Sequence, residues 1–242
     1  MKTVAIIPAR MGSSRFPGKP LALILGRPMI QWVYDGARKS HRVSDVIIAT
    51  CDGEIADAAR GFGAPVAMTS SRHERASDRV AEAARGADAD VIVMVQGDEP
   101  MVGPEMIDAA IGPFSDPEVV CTNLTAPIDA EADFHDPNTI KVVFGPSNDA
   151  IYFSRAPIPA SARRVFTPGR AHRQVCVIGF RAPFLQQYAS LTPTPLEQEE
   201  SIDMLRILEH GMAVRLVPFT AVSYPVDTPE DLRRVARLLE AR

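Results

Sequence analysis

The sequence predicts an α/β fold: a mixed, mostly parallel sheet flanked by helices, built as a single domain over 1–242, with an inserted arm at about 150–196. Three observations predict it. Short β-branched runs alternate with amphipathic stretches through the first half, the pattern of parallel strands joined by right-handed crossovers. Val91-Ile92-Val93-Met94-Val95 is apolar without interruption, which suits a strand covered on both faces. The second half has strand candidates separated by long polar connections, so part of the sheet is expected to be mixed.

The elements follow in order. Val4 to Ile7 is β-branched and ends at Pro8, a first strand. Pro28 stands where a first helical residue would, and the helical pattern continues to about Lys39. Val46 to Thr50 is the next strand, Glu54 to Phe62 a helix closed by glycines, Pro65 to Thr69 a strand and Ser77 to Arg85 a helix. Beyond the buried run at Val91, strands are expected at Val119 to Thr125, Ile140 to Phe144, Val175 to Phe180 and Val214 to Val217. Glu199 to His210 reads as one amphipathic helix stopped by Gly211, and Pro229 to Glu240 as a terminal helix with Thr228 as N-cap.

Composition excludes several classes. The 242 residues are 46% hydrophobic and 23% charged, enough apolar material for a sizeable core and too little net charge for disorder. Twenty-six Lys and Arg against 30 Asp and Glu give a net charge of -4, and aromatics are 6%, a poor balance for a nucleic-acid binder. No apolar run approaches the roughly 20 residues that span a bilayer, and the N-terminal apolar piece is too short for a signal peptide. Cys51, Cys121 and Cys176 are odd in number and far apart, so neither a disulfide framework nor a zinc site is expected, and a cytoplasmic setting is.

The loop after the first strand, Pro8-Ala9-Arg10-Met11-Gly12-Ser13-Ser14-Arg15-Phe16-Pro17-Gly18-Lys19-Pro20, puts three cations within ten positions at a strand's carboxyl end. Glycine-rich loops there converge backbone N–H groups on phosphates, arginine adds a planar fork and lysine a point charge. Neither GxGxxG nor GxxxxGK[ST] is present. A solvated turn with surface cations is the other reading. Asp98, in Gln96-Gly97-Asp98-Glu99-Pro100, emerges where the buried strand meets the ligand-binding edge of such a sheet, and suits Mg²⁺. Asp227, in Val226-Asp227-Thr228-Pro229-Glu230-Asp231, is a second candidate, with a role at the helix start as the alternative. Between Ala150 and Leu196 there is no Asp or Glu, while Arg155, Arg163, Arg164, Arg170, Arg173 and Arg181 all fall there. That asymmetry suggests an acidic partner, or else a solvated basic loop.

The string PARxGSSRxPGKPL resembles the signature of the nucleotidyltransferase A-type sugar cytidylyltransferases, more narrowly of the 3-deoxy-manno-octulosonate (KDO) cytidylyltransferases. The similarity runs in order from Val4 to about Leu238. The resemblance implies a Rossmann-like fold of the nucleotide-diphospho-sugar transferase type, CTP and a sugar acid as substrates, Mg²⁺ as cofactor and a homodimer. It implies that Arg10, Ser13 and Lys19 grip the triphosphate with Ser14 and Arg15 beside them, and that Asp98 and Asp227 hold magnesium. Thr69, His73, Ser77 and Asp78 fall in a stretch bordering cytosine and ribose in relatives, where Ser70, Arg72 and Arg75-Ala76 replace the usual Arg, Asp and Ser-Gly. A helix start is the other reading of Ser77-Asp78. Gln96, Arg155, Gln174, Arg181, Glu197 and Glu200 are implied on the sugar side. Glu197 and Glu200 also read as an acidic first helical turn.

One departure concerns the sugar. KDO-specific relatives show HxGIYxYR where this chain has Gln174-Val175-Cys176-Val177-Ile178-Gly179-Phe180-Arg181. Either His172 takes over the lost histidine's role, or the accepted acid differs from KDO. The expected reaction is attack of the sugar's anomeric hydroxyl on the α-phosphorus of CTP, with pyrophosphate leaving, for lipopolysaccharide or capsule precursors. The alternatives are a cytidylyltransferase for an amino-substituted octulosonate or a nonulosonate, and a sugar-1-phosphate nucleotidyltransferase.

Overall fold

Strand β1 (Thr3–Ala9) is buried along its whole length, because its side chains are apolar on both faces after Thr3. β6 (Val91–Val95) and β4 (Asp45–Thr50) flank it in parallel, and β5 (Val66–Met68) follows β4. On the other side of β6, β10 (Ala171–Arg181) runs antiparallel, then β7 (Cys121–Ile128) antiparallel to β10, then β11 (Arg215–Pro218) parallel to β7. The order is β11-β7-β10-β6-β1-β4-β5, with β10 reversed against the rest. β8 (Lys141–Phe144) pairs with the start of β10, and β9 (Ala150–Ser154) with β8. A small hairpin, β2 (Leu23–Ile24) and β3 (Arg27–Pro28), stands apart. The computed structural model describes residues 1–12, 16–162, 165–220 and 223–241.

Period-two alternation divides the core. Ala5 and Ile7 of β1 face α1 (Met29–Ala37), α2 (Gly53–Gly61) and α4 (Pro104–Ile111), which bury Ile30, Val33, Ile55 and Ile107. Val4 and Ile6 face α3 (Ala76–Ala84), α6 (Ala182–Ser190) and α8 (Asp203–Glu209), which bury Val80, Leu185 and Leu205. Burying each such side chain contributes roughly 1.5–3 kcal/mol. α9 (Pro229–Glu240) opens on a capping box between Thr228 and Asp231 and covers a third cluster around Ile24, Met101 and Val235. α5 (Glu131–His135) and α7 (Pro195–Glu200) are short and stand near the cleft.

Two expectations are corrected. Residues 150–196 do not form one inserted arm: β10 lies inside the sheet between β6 and β7, and α6 packs on its face. Continuous apolar residues Val175, Val177, Ile178 and Phe180 require that cover. Glu199 to His210 is two helices. α7 ends at Ser201, which is left-handed at φ 54, and α8 starts at Asp203 after buried Ile202. A capping box at Thr194 and Glu197 starts α7 four residues earlier than the apolar pattern suggested.

Candidate active site

β1 and β6 are parallel, so the loops after both open at the same edge of the sheet. Reversed β10 contributes its first half to this edge, and the loop before α9 crosses it, held by a hydrogen bond from the Val226 amide to the Asp98 carbonyl (2.9 Å). Between them lies a cleft of about 750 Å³. It is lined by Arg10, Lys19, His73, Gln96, Asp98, Asp227, Arg155 and Gln174, all expected from the sequence.

At one end Lys19 Nζ donates to Asp98 Oδ2 (2.8 Å) and Asp227 Oδ1 (3.2 Å). A three-residue 3-10 turn at Lys19–Leu21, entered through left-handed Gly18, aims the lysine inward. Burial works to lower the lysine's pKa, but the two carboxylates together outweigh it and hold the ammonium above its ordinary value. Asp227 is fixed from behind, since its amide and that of Thr228 both donate to Asp231 Oδ2 (3.1 and 2.9 Å). Arg10, the first residue after β1, lines the same cleft. Ser13, Ser14 and Arg15 lie outside the described residues.

The nucleoside stretch divides. His73 lines the cleft and pairs with Glu82, which also accepts from the Ser70 amide (2.9 Å). These bonds hold the Glu82 carboxyl below its ordinary range. Thr69 Oγ1 accepts from Arg79 (2.5 Å) and does not line the cleft. Ser77 and Asp78 take the structural reading. Ser77 Oγ is buried between Asp203 (2.6 Å) and Tyr188 (2.9 Å), and Asp78 pairs with Arg206 (3.0 Å).

On the other side, Arg155 Nε donates to the Glu200 carbonyl (2.6 Å), Nη1 to the Pro137 carbonyl (2.9 Å) and Nη2 to the Ser201 carbonyl (3.3 Å). Three main-chain carbonyls thus hold the guanidinium of a residue that lines the cleft. Glu200 does not line the cleft, and it orders the β9 end by accepting from Ser154 Oγ (2.6 Å) and the Arg155 amide (2.8 Å). Burial works to raise the Glu200 pKa, and these donors bring it below the ordinary range instead. Glu197 is corrected to a structural role: fully buried, it accepts two bonds from Arg206 (2.8 and 2.6 Å). Arg181 is corrected too. β10 is antiparallel, so Arg181 lies opposite Val91 at the far edge, donating to the carbonyls of Val119, Phe114 and Asp116. His172 does not replace a sugar-side histidine, since its ring packs edge-on against Phe144 at 5.0 Å and is absent from the cleft wall. Burial pushes its pKa down.

Main-chain carbonyls absorb much of the arginine excess between 150 and 196. Arg173 donates to the Ser223 carbonyl (2.8 Å) as Arg155 and Arg181 do to theirs, while Arg163 and Arg164 lie outside the described residues. Among the cleft residues that the sequence did not single out as site residues are Arg75, Arg173 and Glu99. Arg75 reaches Ser201 Oγ (2.6 Å) and the Glu197 carbonyl (3.3 Å). Arg173 also lines the wall. Glu99, buried beside Asp98, accepts from Ser223 Oγ (2.6 Å), and desolvation pushes it up to about 7 against that bond. Its place next to Asp98 in QGDEP was the available signal; Arg75 gave none, because it departs from the motif.

A model of the cytidylyltransferase family matches residues 4–214. The chain is 45% identical over 249 aligned residues to a 3-deoxy-manno-octulosonate cytidylyltransferase of Geobacter metallireducens, covering 99% of this chain and 98% of that one. It is 41% identical to the protein of that name from Acaryochloris marina, over 96% and 95% of the two chains. A solved structure described as CMP:2-keto-3-deoxy-manno-octonic acid synthetase complexed with CTP superposes at a TM-score of 0.91, with 37% identity over 100% and 99% of the chains. A 4-diphosphocytidyl-2C-methyl-D-erythritol synthase from Anaerococcus prevotii, 12% identical at a TM-score of 0.64, shares the fold. The chain belongs to the cytidylyltransferase family, enzymes of nucleotidyl transfer.

Proposed function

We propose that this protein transfers CMP from CTP to the anomeric hydroxyl of KDO, releasing pyrophosphate, with Gln174 rather than His172 serving the sugar where KDO-specific relatives carry histidine, and that its product feeds lipopolysaccharide or capsule synthesis in the cytoplasm. The observation that carries this reading is one cleft lined both by Lys19, bonded to Asp98 and Asp227, and by Arg155 and Gln174. The names of the close relatives support the choice of substrates.

The residues fit a magnesium ion. Two hard carboxylate oxygens already converge on one cation, the Lys19 ammonium. Among the described residues no group of three or more His, Cys, Asp or Glu could enclose a metal, so phosphate oxygens and water would complete the shell. Asp98 and Asp227 would hold the ion. When bound it supplies charge to the α-phosphate and lowers the pKa of the attacking hydroxyl. Lys19 and Arg10 take the charge that develops on the leaving pyrophosphate, and Arg155 holds the sugar carboxylate. No side chain acts as nucleophile, so alignment and charge neutralisation carry the rate.

A homodimer accompanies this reading. β9 pairs with β8 alone among the described strands, and Ile151 on it is 64% exposed, an apolar edge suited to a second copy. Light scattering at micromolar protein tests it, and a monomer mass rejects it. The function is tested by pyrophosphate release with CTP and KDO, set against UTP and against sugar 1-phosphates. Turnover with CTP and KDO is expected. Turnover only with UTP and a sugar phosphate rejects the reading.

A further inference from the structure

Asn123 and Gln174 form an amide pair whose orientation the backbone dictates. Asn123 is fully buried on β7, and its Nδ2 donates to the carbonyls of Leu124 (2.9 Å) and Val175 (2.8 Å). Turning the amide over would set Oδ1 against two carbonyl oxygens, so Oδ1 must face Gln174. Gln174 Nε2 donates to that oxygen at 2.6 Å, and the reverse orientation would oppose two acceptors. Oε1 of Gln174 is thereby turned away from β7, on a side chain that lines the cleft, and no described group donates to it. Farther along β10, the wall residue Ile178 is apolar and buried, so it offers no substitute partner.

We propose that Asn123 is a positioning residue that locks the Gln174 carboxamide, and that the locked Oε1 selects sugar acids carrying a hydrogen-bond-donating hydroxyl at that point. The proposal rests on the sugar-acid reading given above and deepens it. A locked amide oxygen on the cleft wall rejects a substrate lacking the hydroxyl, because the bound sugar then covers that acceptor without giving it a partner.

The test uses the full-length enzyme, saturating CTP, and KDO beside analogues in which one hydroxyl at a time is replaced by hydrogen. Gln174→Met, at a half-buried position, keeps the volume and removes both amide atoms. It is expected to lower kcat/KM for KDO at least about tenfold, with the KM for CTP unchanged. One deoxy analogue is expected to be as poor a substrate for the wild type as KDO is for the variant, and to lose nothing further in the variant. Asn123→Leu is expected to raise the KM for KDO with little change in kcat; if it fails to fold, Gln174→Met alone decides. Undiminished use of KDO by Gln174→Met, or an equal further loss on every analogue, overturns the proposal alone. A wild type that turns over CTP with no member of the panel overturns the functional reading and the proposal with it.

Discussion

Lys19 reaches two carboxylates that lie 79 and 208 residues away in sequence. Each of those acids was legible because it stands at a strand or helix boundary facing the ligand edge, and because the motifs around them recur in a known family. Asp98→Asn and Asp227→Asn are each expected to lower kcat by at least about 100-fold, or ~3 kcal/mol, in a pyrophosphate-release assay, with folding intact by circular dichroism. Full activity in both variants removes them from the mechanism. The position of Glu99 was legible from QGDEP but its protonation was not, because burial and not residue type decides it. Its folded pKa of about 7 lies above the ordinary 4.5, so the folded protein binds the extra proton between those values. Stability from this group is therefore present below pH 4.5 and is lost as the pH rises through 7, by on the order of 3 kcal/mol. Glu99→Gln keeps an acceptor for Ser223 and is expected to flatten urea stability between pH 5 and 8. A variant with the wild-type pH slope assigns that slope to another group.

Elements were read well where an apolar period met a turn residue, as at β1, β6 and α9, and poorly where a local cap or a buried charge decided the outcome. Glu197 reads as a surface acid in a first helical turn, yet it caps α7 at Thr194 and meets Arg206 from α8 with neither side chain accessible. Arg206 also reaches Asp78 at the start of α3 and stacks on Tyr188 at 4.5 Å, so one guanidinium joins three helices. Arg206→Met removes both bonds to the buried Glu197 carboxyl and leaves it Arg75, at 3.7 Å, as its ion-pair partner, and is expected to lower unfolding free energy by about 3–5 kcal/mol in denaturant titrations. A loss below 1 kcal/mol rejects the junction as a stability element. Gly36 in α1 decides another contact. A Cβ there would lie 2.2 Å from the Val102 carbonyl oxygen, in the segment that follows β6. Gly to Ala inside a helix ordinarily stabilises by roughly 0.5–1 kcal/mol. Here the clash with backbone reverses the sign, and Gly36→Ala is expected to destabilise by about 1–3 kcal/mol, read as a lowered Tm.

At the scale of the molecule, the alternation of strands and helices made the parallel half legible, while the place of β10 was not. A strand's direction depends on a partner distant in sequence, and an apolar run does not record it. That reversal separates Gln174 from Arg181 among the sugar-side residues, since the start of β10 brings Gln174 to the cleft and its end carries Arg181 to the opposite edge. In the same cleft Asp98 and Asp227 have Lys19 as the cation between them. A divalent cation bound there, as proposed, would share the acidic pair with the lysine. Chelation with EDTA is expected to abolish CTP turnover and added Mg²⁺ to restore it, since two carboxylates and the phosphates need a hard cation between them. Lys19→Met leaves the pair without its resident charge, so it is expected to bind Mg²⁺ at least as tightly as the wild type in calorimetry without nucleotide, while losing turnover. Weaker Mg²⁺ binding in Lys19→Met would mean that the lysine organises the acids for the ion rather than competing with it.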